Sequence, residues 1–220
     1  MNFIRKLRWW ADDYAYAGYW QIRGLFTRTP GGQFHNGTQA PVVVLPGIYE
    51  SWQFMLPLIE EIHARGHPVH VITALRRNRR PIRHGAGLLA DYLASHDLQN
   101  VRIVAHSKGG MIGKYAMLVP DSTARIDRMV AICSPFSGSR YGRFLVLPSL
   151  RAFSPKDALT LRLASEEAVN ARITSIFGVF DPHIPEGSSL PGARNIQLDV
   201  GGHFRILGLP ETVRTVLAAL

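Results

Sequence analysis

Ser107 stands in a run of small residues, AHSKGG over residues 105–110. The run follows an apolar segment, 101–105, that predicts a strand, and it leads into a predicted helix over 108–118. A serine at so sharp a strand-to-helix turn takes a strained backbone conformation, and the residues two before and two after it crowd each other. Alanine and glycine at those positions meet that demand. The pattern therefore favours Ser107 as a nucleophile, the alternative being an ordinary strand–turn–helix joint.

This segment resembles the nucleophile elbow of α/β-hydrolases, in particular that of small bacterial lipases, with Ala105 where glycine is commoner. The run ICSPFSGS over 132–139 also resembles a lipase segment. The resemblance covers residues 41–220 and leaves the first forty unexplained. It implies an α/β-hydrolase fold with partner residues in the chain order nucleophile, acid, histidine.

That order implies an acid and a base in two later loops. Asp181 follows a predicted strand and precedes Pro182, and His203 lies in a glycine-flanked loop before the last predicted helix. By the resemblance, His203 takes the Ser107 proton and Asp181 orients the imidazole. Asp181 could instead start an Asp-Pro turn or cap a helix. Glu186 and Asp199 compete with it for the role of the acid.

The loop after the first predicted strand reads PGIY, residues 46–49. The resemblance implies that the backbone N–H groups of Ile48 and Lys108 form an oxyanion hole. Pro46 departs from lipases, which often carry histidine there, although backbone donation does not require that histidine. The alternative is a common Pro-Gly turn. We also expect substrate contacts from a further set of residues: Gly47, Tyr49, Phe136 and His183.

Strands and helices alternate from residue 41 to the end, which predicts parallel strands joined by right-handed crossovers. The expected fold is α/β: a mostly parallel sheet of about six strands with helices on both faces and little or no cap. Ligands bind such sheets beyond the carboxyl ends of the strands, where the candidate residues fall. We predict an N-terminal helical, aromatic extension and loop over 1–40 and an α/β-hydrolase domain over 41–220.

Composition limits the classes of function. The 220 residues suit one domain, and a formal net charge of +9 is high for this length. No nucleic-acid-binding motif is present, so nucleic acid is not an expected partner. The single cysteine, Cys133, rules out an intramolecular disulfide and a cysteine-rich zinc site. We expect no cofactor and no metal. Asp12 and Asp13 interrupt any signal peptide, which favours a cytoplasmic protein.

Three segments raise the question of membrane contact. Phe3, Leu7, Trp10, Tyr14 and Ala17 recur at helical spacing, so the helix within 1–26 either packs on the core or anchors to a membrane surface. Arg76, Arg77, Arg79 and Arg80 form a loop on the predicted active-site side, either solvated or bound to anionic lipid. Residues 138–170 include an apolar stretch (Phe144, Leu145, Val146, Leu147, Leu150 and Phe153) that forms either a lid or part of the core.

The predicted function is hydrolysis of apolar acyl esters through an acyl-serine intermediate, as in an esterase or lipase. The expected partner is a small-molecule ester or lipid, with peripheral contact to an anionic membrane as a further expectation. Two alternatives remain open: an acyltransferase with the same residues, and a non-catalytic binding protein on a hydrolase scaffold. The sequence leaves the natural ester, the acyl length and the oligomeric state open.

Overall fold

The computed structural model describes residues 2–26, 30–141 and 153–220. Six parallel strands form one sheet in the order β2-β1-β3-β4-β5-β6. The strands are β1 (Val42–Leu45), β2 (Val69–Val71), β3 (Val101–His106), β4 (Ile126–Ile132), β5 (Ile173–Phe180) and β6 (Arg194–Gly201). This is the fold class that the alternation of strands and helices predicts.

The helices in the described ranges are α1 (Phe3–Phe26), α2 (Leu56–Ala64), α3 (Ile82–Ser95), α4 (Lys108–Leu118), α5 (Pro120–Thr123), α6 (Ala158–Ser165) and α7 (Pro210–Ala219). Several bounds differ from the predicted ones. The helix predicted from Trp52 begins as a 3-10 turn over Trp52–Met55, and the helix predicted over 156–168 is confined to α6. Asp157 is the N-cap of α6, because its carboxylate accepts the N–H groups of Leu159 and Thr160.

Alternate residues of the strands supply two cores, one on each face of the sheet. Val43 and Leu45 pack with α3 and α4, and Val42 and Val44 pack with α2 and α7. All four side chains are fully buried, as expected of a parallel strand covered on both faces. This two-sided burial fixes the strands and holds their carboxyl ends, where the candidate residues lie, along one edge of the sheet.

Helix α1 packs on the core that contains Val42 and Val44, through a face that the sequence did not predict. Trp9, Asp13 and Trp20 are its buried residues; of the predicted stripe, Phe3, Leu7, Trp10 and Tyr14 are exposed, whereas Ala17 is half-buried against the core. Part of the predicted apolar stretch, residues 144–150, lies outside the described residues, and Phe153 is buried. In the described ranges, no helix combines the length and the apolar character needed to cross a membrane.

Candidate active site

Ser107 lies between β3 and α4 at the predicted sharp turn. Its φ of 50° and ψ of −118° belong to a region that non-glycine residues rarely adopt, so the turn is strained. A Cβ added to Gly109 would lie 2.1 Å from the carbonyl oxygen of Leu45, so this position requires glycine. Gly109 is thus crowded by the end of β1 rather than by Ala105, the neighbour that the sequence analysis expected, and the turn places Ser107 at the carboxyl edge of the sheet.

The structure brings Ser107, His203 and Asp181 into one hydrogen-bonded chain. His203 Nε2 lies 3.0 Å from Ser107 Oγ, and His203 Nδ1 lies 2.8 Å from Asp181 Oδ2. The other carboxylate oxygen, Oδ1, accepts the backbone N–H groups of His183 and Ile184 at 2.7 and 3.0 Å. Asp181 thus forms both the Asp-Pro turn and the contact with histidine, which the sequence analysis had treated as alternatives.

The competing acids lie elsewhere. Glu186 forms an ion pair with Arg140 at 2.7 Å, and Asp199 on β6 forms one with Arg5 at 2.9 Å. Both pairs are partly exposed to solvent, in contrast to the buried Asp181–His203 pair. The geometry therefore selects Asp181 as the carboxylate that can act on His203.

The charges of the buried pair support each other. Burial alone favours the neutral form of Asp181, but His203 and the backbone N–H of His183 outweigh it and hold the carboxyl pKa below its usual value. Burial opposes the imidazolium of His203, but Asp181 outweighs that effect and raises the imidazole pKa. Burial lowers the pKa of neighbouring His183 to about 4, so that ring is neutral at neutral pH. Of these two imidazole rings, His203 is therefore the one whose surroundings favour accepting a proton.

Ile48 and Lys108, whose N–H groups the sequence analysis expected to form an oxyanion hole, both lie near Ser107. Lys108 is the first residue of α4, and Ile48 lies in the loop after β1 and borders the cavity described below. Over the described ranges, neither N–H group has a hydrogen-bond acceptor. The amino end of α4 also favours negative charge beside Ser107. The arrangement can therefore stabilise an anion that forms next to Ser107.

Glu50 and His106 form a buried network that the sequence analysis missed. Glu50 Oε2 accepts the N–H of Gly47 at 2.7 Å and lies 2.9 Å from His106 Nδ1. His106 Nε2 lies 2.9 Å from the carbonyl oxygen of His203. The network joins the three loops that carry Ile48, Ser107 and His203. The available signal in the sequence was Glu50, an acidic residue among the aromatic residues of 49–54. A charged side chain is buried in a core only when a polar group pairs with it.

Asp13 on α1 holds the His203 loop from the other side. It is fully buried, and its Oδ1 accepts the N–H groups of Phe204 at 2.7 Å and Arg205 at 2.8 Å. Trp9 packs so closely on Gly201 that a Cβ there would lie 2.1 Å from the indole. The N-terminal helix is thus part of the site. Its signal in the sequence was an acidic residue on a face otherwise formed by tryptophans.

A cavity of about 370 Å³ opens at Ser107. Its lining is mainly apolar and includes both Ser107 and His203; the other residues are Ala17, Gln21, Ile48, Tyr49, Glu50, Phe54, Pro135, Ser139, Tyr141, Phe153, His183, Ile184 and Phe204. Tyr49 and His183 lie where the sequence analysis expected them. Gly47 and Phe136 do not border the cavity. Gly47 instead donates to Glu50, and Phe136 is buried in the core against Lys114.

The arginine loop over residues 76–80 is bound to the site at several points. Lys108 Nζ donates to the carbonyl oxygens of Asn78, at 2.7 Å, and Arg80. Asn78 Nδ2 donates to the carbonyl of Pro46 at 2.7 Å, and the Tyr49 N–H donates to the Arg77 carbonyl at 2.8 Å. The loop therefore has a fixed position beside the loop that carries Ile48.

Within the described part of the chain, one group of side chains could be considered for a metal. Potential ligand atoms of Cys133, Asp181 and His203 lie within 4.8 Å of one another. Burial raises the pKa of the Cys133 thiol well above its ordinary value, which opposes the thiolate that binds metals. Both Asp181 oxygens and both His203 nitrogens already have hydrogen-bond partners. The donor set therefore suits proton transfer better than metal binding.

No family model matches the chain, and no curated protein is similar to it in sequence at a significant level. Solved structures do match. The mature form of Bacillus licheniformis lipase BlEst2 gives a TM-score of 0.65 at 14% identity, covering 84% of this chain and 92% of that one. A putative non-heme bromoperoxidase, BpoC, of Mycobacterium tuberculosis H37Rv gives 0.65 at 17% identity, covering 83% and 92%.

A third match is the α/β-hydrolase MGS-MChE2 from a lagoon-sediment metagenome of Mar Chica, Morocco. It gives a TM-score of 0.62 at 18% identity and covers 83% of this chain and 90% of that one. Identities this low establish the architecture alone, because one fold serves many chemistries. The chain has the α/β-hydrolase fold, as the resemblance of its serine segment implied.

Proposed function

We propose that the protein is a serine hydrolase that cleaves apolar carboxylic esters through an acyl-serine intermediate. The observation that carries the proposal is the hydrogen-bonded chain from Asp181 through His203 to Ser107, opening on an apolar cavity. Nucleophile, base and orienting carboxylate have the mutual geometry that acyl transfer requires. The fold neighbours include a lipase, which agrees with this assignment without specifying it.

In the acylation step, Ser107 Oγ attacks the ester carbonyl carbon while His203 Nε2 takes the hydroxyl proton. The carbonyl π electrons move to oxygen, and the N–H groups of Ile48 and Lys108 stabilise the oxyanion. Collapse of the intermediate breaks the bond to the alkoxy oxygen, which leaves as alcohol with the proton from His203. Asp181 keeps the imidazole in the required tautomer throughout.

Deacylation repeats these events with water as the nucleophile. His203 takes a proton from water, the hydroxyl oxygen attacks the acyl carbon, and the acid leaves as Ser107 regains its proton. The acyl chain lies in the cavity among Phe54, Phe153 and Phe204, where burial of apolar surface supplies binding energy. An alcohol that replaced water in this step would make the enzyme an acyltransferase.

The test combines fluorophosphonate labelling with hydrolysis of p-nitrophenyl esters of graded acyl length. We expect the wild-type chain to be labelled and Ser107→Ala to be neither labelled nor active, with an unchanged circular dichroism spectrum. Ser165→Ala, at an exposed serine, is the matched control and should retain both properties. Hydrolysis by Ser107→Ala at the wild-type rate would exclude Ser107 as the nucleophile. Products formed with added alcohol distinguish hydrolysis from transfer.

A further inference from the structure

One face of α1 is apolar and exposed along the whole helix. Its large exposed side chains are Phe3, Ile4, Leu7, Trp10, Tyr14, Tyr19, Ile22, Leu25 and Phe26. A helix of 24 residues is about 36 Å long. The opposite face, with Trp9, Asp13 and Trp20, is fixed to the core. Apolar surface of this extent on a helix that is already packed marks an interaction surface.

This face borders the mouth of the cavity. Ala17 and Gln21 of α1 line the cavity itself, and the Tyr14 ring lies 5.7 Å from that of His183. A partner bound to the outer face of α1 would therefore lie beside the entrance to Ser107.

The arginine loop over 76–80 lies beside the same cavity through its contact with Gln21. Arg77 Nη1 donates to Gln21 Oε1 at 2.5 Å, which joins the loop directly to α1. The side chains of Arg76, Arg79 and Arg80 are exposed. Apolar helix face and basic loop thus form one continuous surface, which we call the rim.

We propose that the rim docks the protein on an anionic lipid surface, with the mouth of the cavity facing the lipid. The chemistry of the rim selects this occupant. Tryptophan and tyrosine are favoured at the boundary between hydrocarbon and headgroups, and both occur on the exposed face, as Trp10, Tyr14 and Tyr19. Arginines beside an apolar face bind anionic headgroups while the face enters the lipid.

A second copy of the chain suits the rim less well. Pairing two rims would bring two arginine loops together on chains that each carry a net charge of +9, and like charges oppose that contact. An anionic membrane offers the opposite charge and an apolar interior to the same surface. The charge pattern therefore favours lipid over self-association.

The docking is separable from catalysis, so it is tested on the inactive Ser107→Ala chain. Sedimentation is measured with vesicles of phosphatidylcholine alone and of phosphatidylcholine mixed with phosphatidylglycerol in equal parts. We expect binding to the mixed vesicles that weakens as salt is raised, and much weaker binding to phosphatidylcholine alone. Absence of binding to the mixed vesicles, or equal binding to both kinds, overturns the proposal whether or not Ser107 proves to be a nucleophile.

Matched variants then place the surface. Leu7→Asp should weaken binding to the mixed vesicles by about tenfold or more, while Leu161→Asp should not. The two leucines are 56% and 54% exposed, and Leu161 lies on α6 outside the rim. Wild-type binding by Leu7→Asp would overturn the proposal.

The arginine loop has its own control. Arg79→Glu with Arg80→Glu should weaken binding about tenfold or more, because each reversal replaces attraction to the headgroups by repulsion. Arg194→Glu, at the amino end of β6 and far from the rim, should bind as the parent chain does. Analytical ultracentrifugation of the parent and Leu7→Asp chains tests the other occupant. A dimer that Leu7→Asp abolishes, without vesicle binding, would assign the surface to a second copy.

Discussion

Replacing Glu50 by glutamine tests whether the buried network positions the catalytic loops. The Glu50 carboxylate accepts the N–H of Gly47 and faces His106, which in turn contacts the carbonyl oxygen of His203. Both ring nitrogens of His106 thus face oxygen atoms. Glutamine keeps the shape of the side chain but removes the negative charge and one acceptor oxygen.

The magnitude follows from the contacts. Each buried donor left without an acceptor costs about 1–3 kcal/mol, so Glu50→Ala, which strands two, should lose about 2–6 kcal/mol of unfolding free energy. That is a large part of the roughly 5–15 kcal/mol that holds a domain together. Glu50→Gln can keep both contacts through one amide oxygen but loses the charge that strengthens them, so it should lose about 1–3 kcal/mol and remain folded.

The effect on catalysis should exceed the effect on stability. Gly47 precedes Ile48, so relaxation of its N–H shifts an oxyanion donor, and misplacement by about 1 Å can reduce the rate about a hundredfold. We expect kcat for p-nitrophenyl butyrate to fall about 10- to 100-fold in Glu50→Gln, with a smaller change in KM. The assay is run well below the melting temperature of the variant.

The control is Glu61→Gln on α2, where the glutamate is exposed. It should match the wild type in kcat and in melting temperature. A Glu50→Gln protein with the wild-type kcat would refute the positioning role. A lower melting temperature with unchanged kcat would leave Glu50 a purely structural residue.

Two further predictions follow from the site. First, kcat/KM should fall at acid pH with a midpoint above pH 6.5, the ordinary pKa of histidine. The reason is that Asp181 raises the pKa of His203, and His203 must be neutral to act as the base. A midpoint below pH 6.5 in a pH–rate profile would show that another group limits the rate. Second, Asp13→Ala should lose about 2–4 kcal/mol of unfolding free energy in urea titrations, because two partly buried N–H groups lose their acceptor. Asp12→Ala, next to it but exposed, should lose less than about 1 kcal/mol; equal losses in the two variants would refute the role of Asp13 in holding the His203 loop.

Local patterns were sufficient to predict the sheet and the position of Ser107 at its edge. The apolar runs that became β3 and β5 and the small residues around Ser107 carry their own signal, since a buried parallel strand and a tight elbow restrict residue type. Asp181 and His203 were reached through the resemblance, because a single acid or histidine at a loop is a weak pattern. Asp181 and His203 come together only in the tertiary structure, and only the chain order of the resembling family indicated that they would pair.

The supporting residues could not be predicted in the same way. Glu50, His106 and Asp13 act on loops 56, 97 and 191 residues away, and spacing along the chain carries no trace of such contacts. The inward face of α1 could not be predicted either, because periodicity marks an apolar stripe without showing whether the core or a membrane covers it. The core took the face with Trp9, Asp13 and Trp20, where Asp13 meets two backbone amides.

This choice of face gives α1 three separable roles. Asp13 holds the loop that carries His203, Ala17 and Gln21 border the cavity, and the outward residues form the rim. Deleting the helix would remove all three at once and identify none of them. Point substitutions separate these roles. Asp13→Ala should lower the stability of the protein, whereas Leu7→Asp should leave the buried contacts in place and weaken lipid binding. In the proposed docking, the buried face of α1 holds the loop that carries His203 while its exposed face contacts the lipid. Because one helix carries both faces, rigid packing connects the docking surface to the active-site loop without a conformational change.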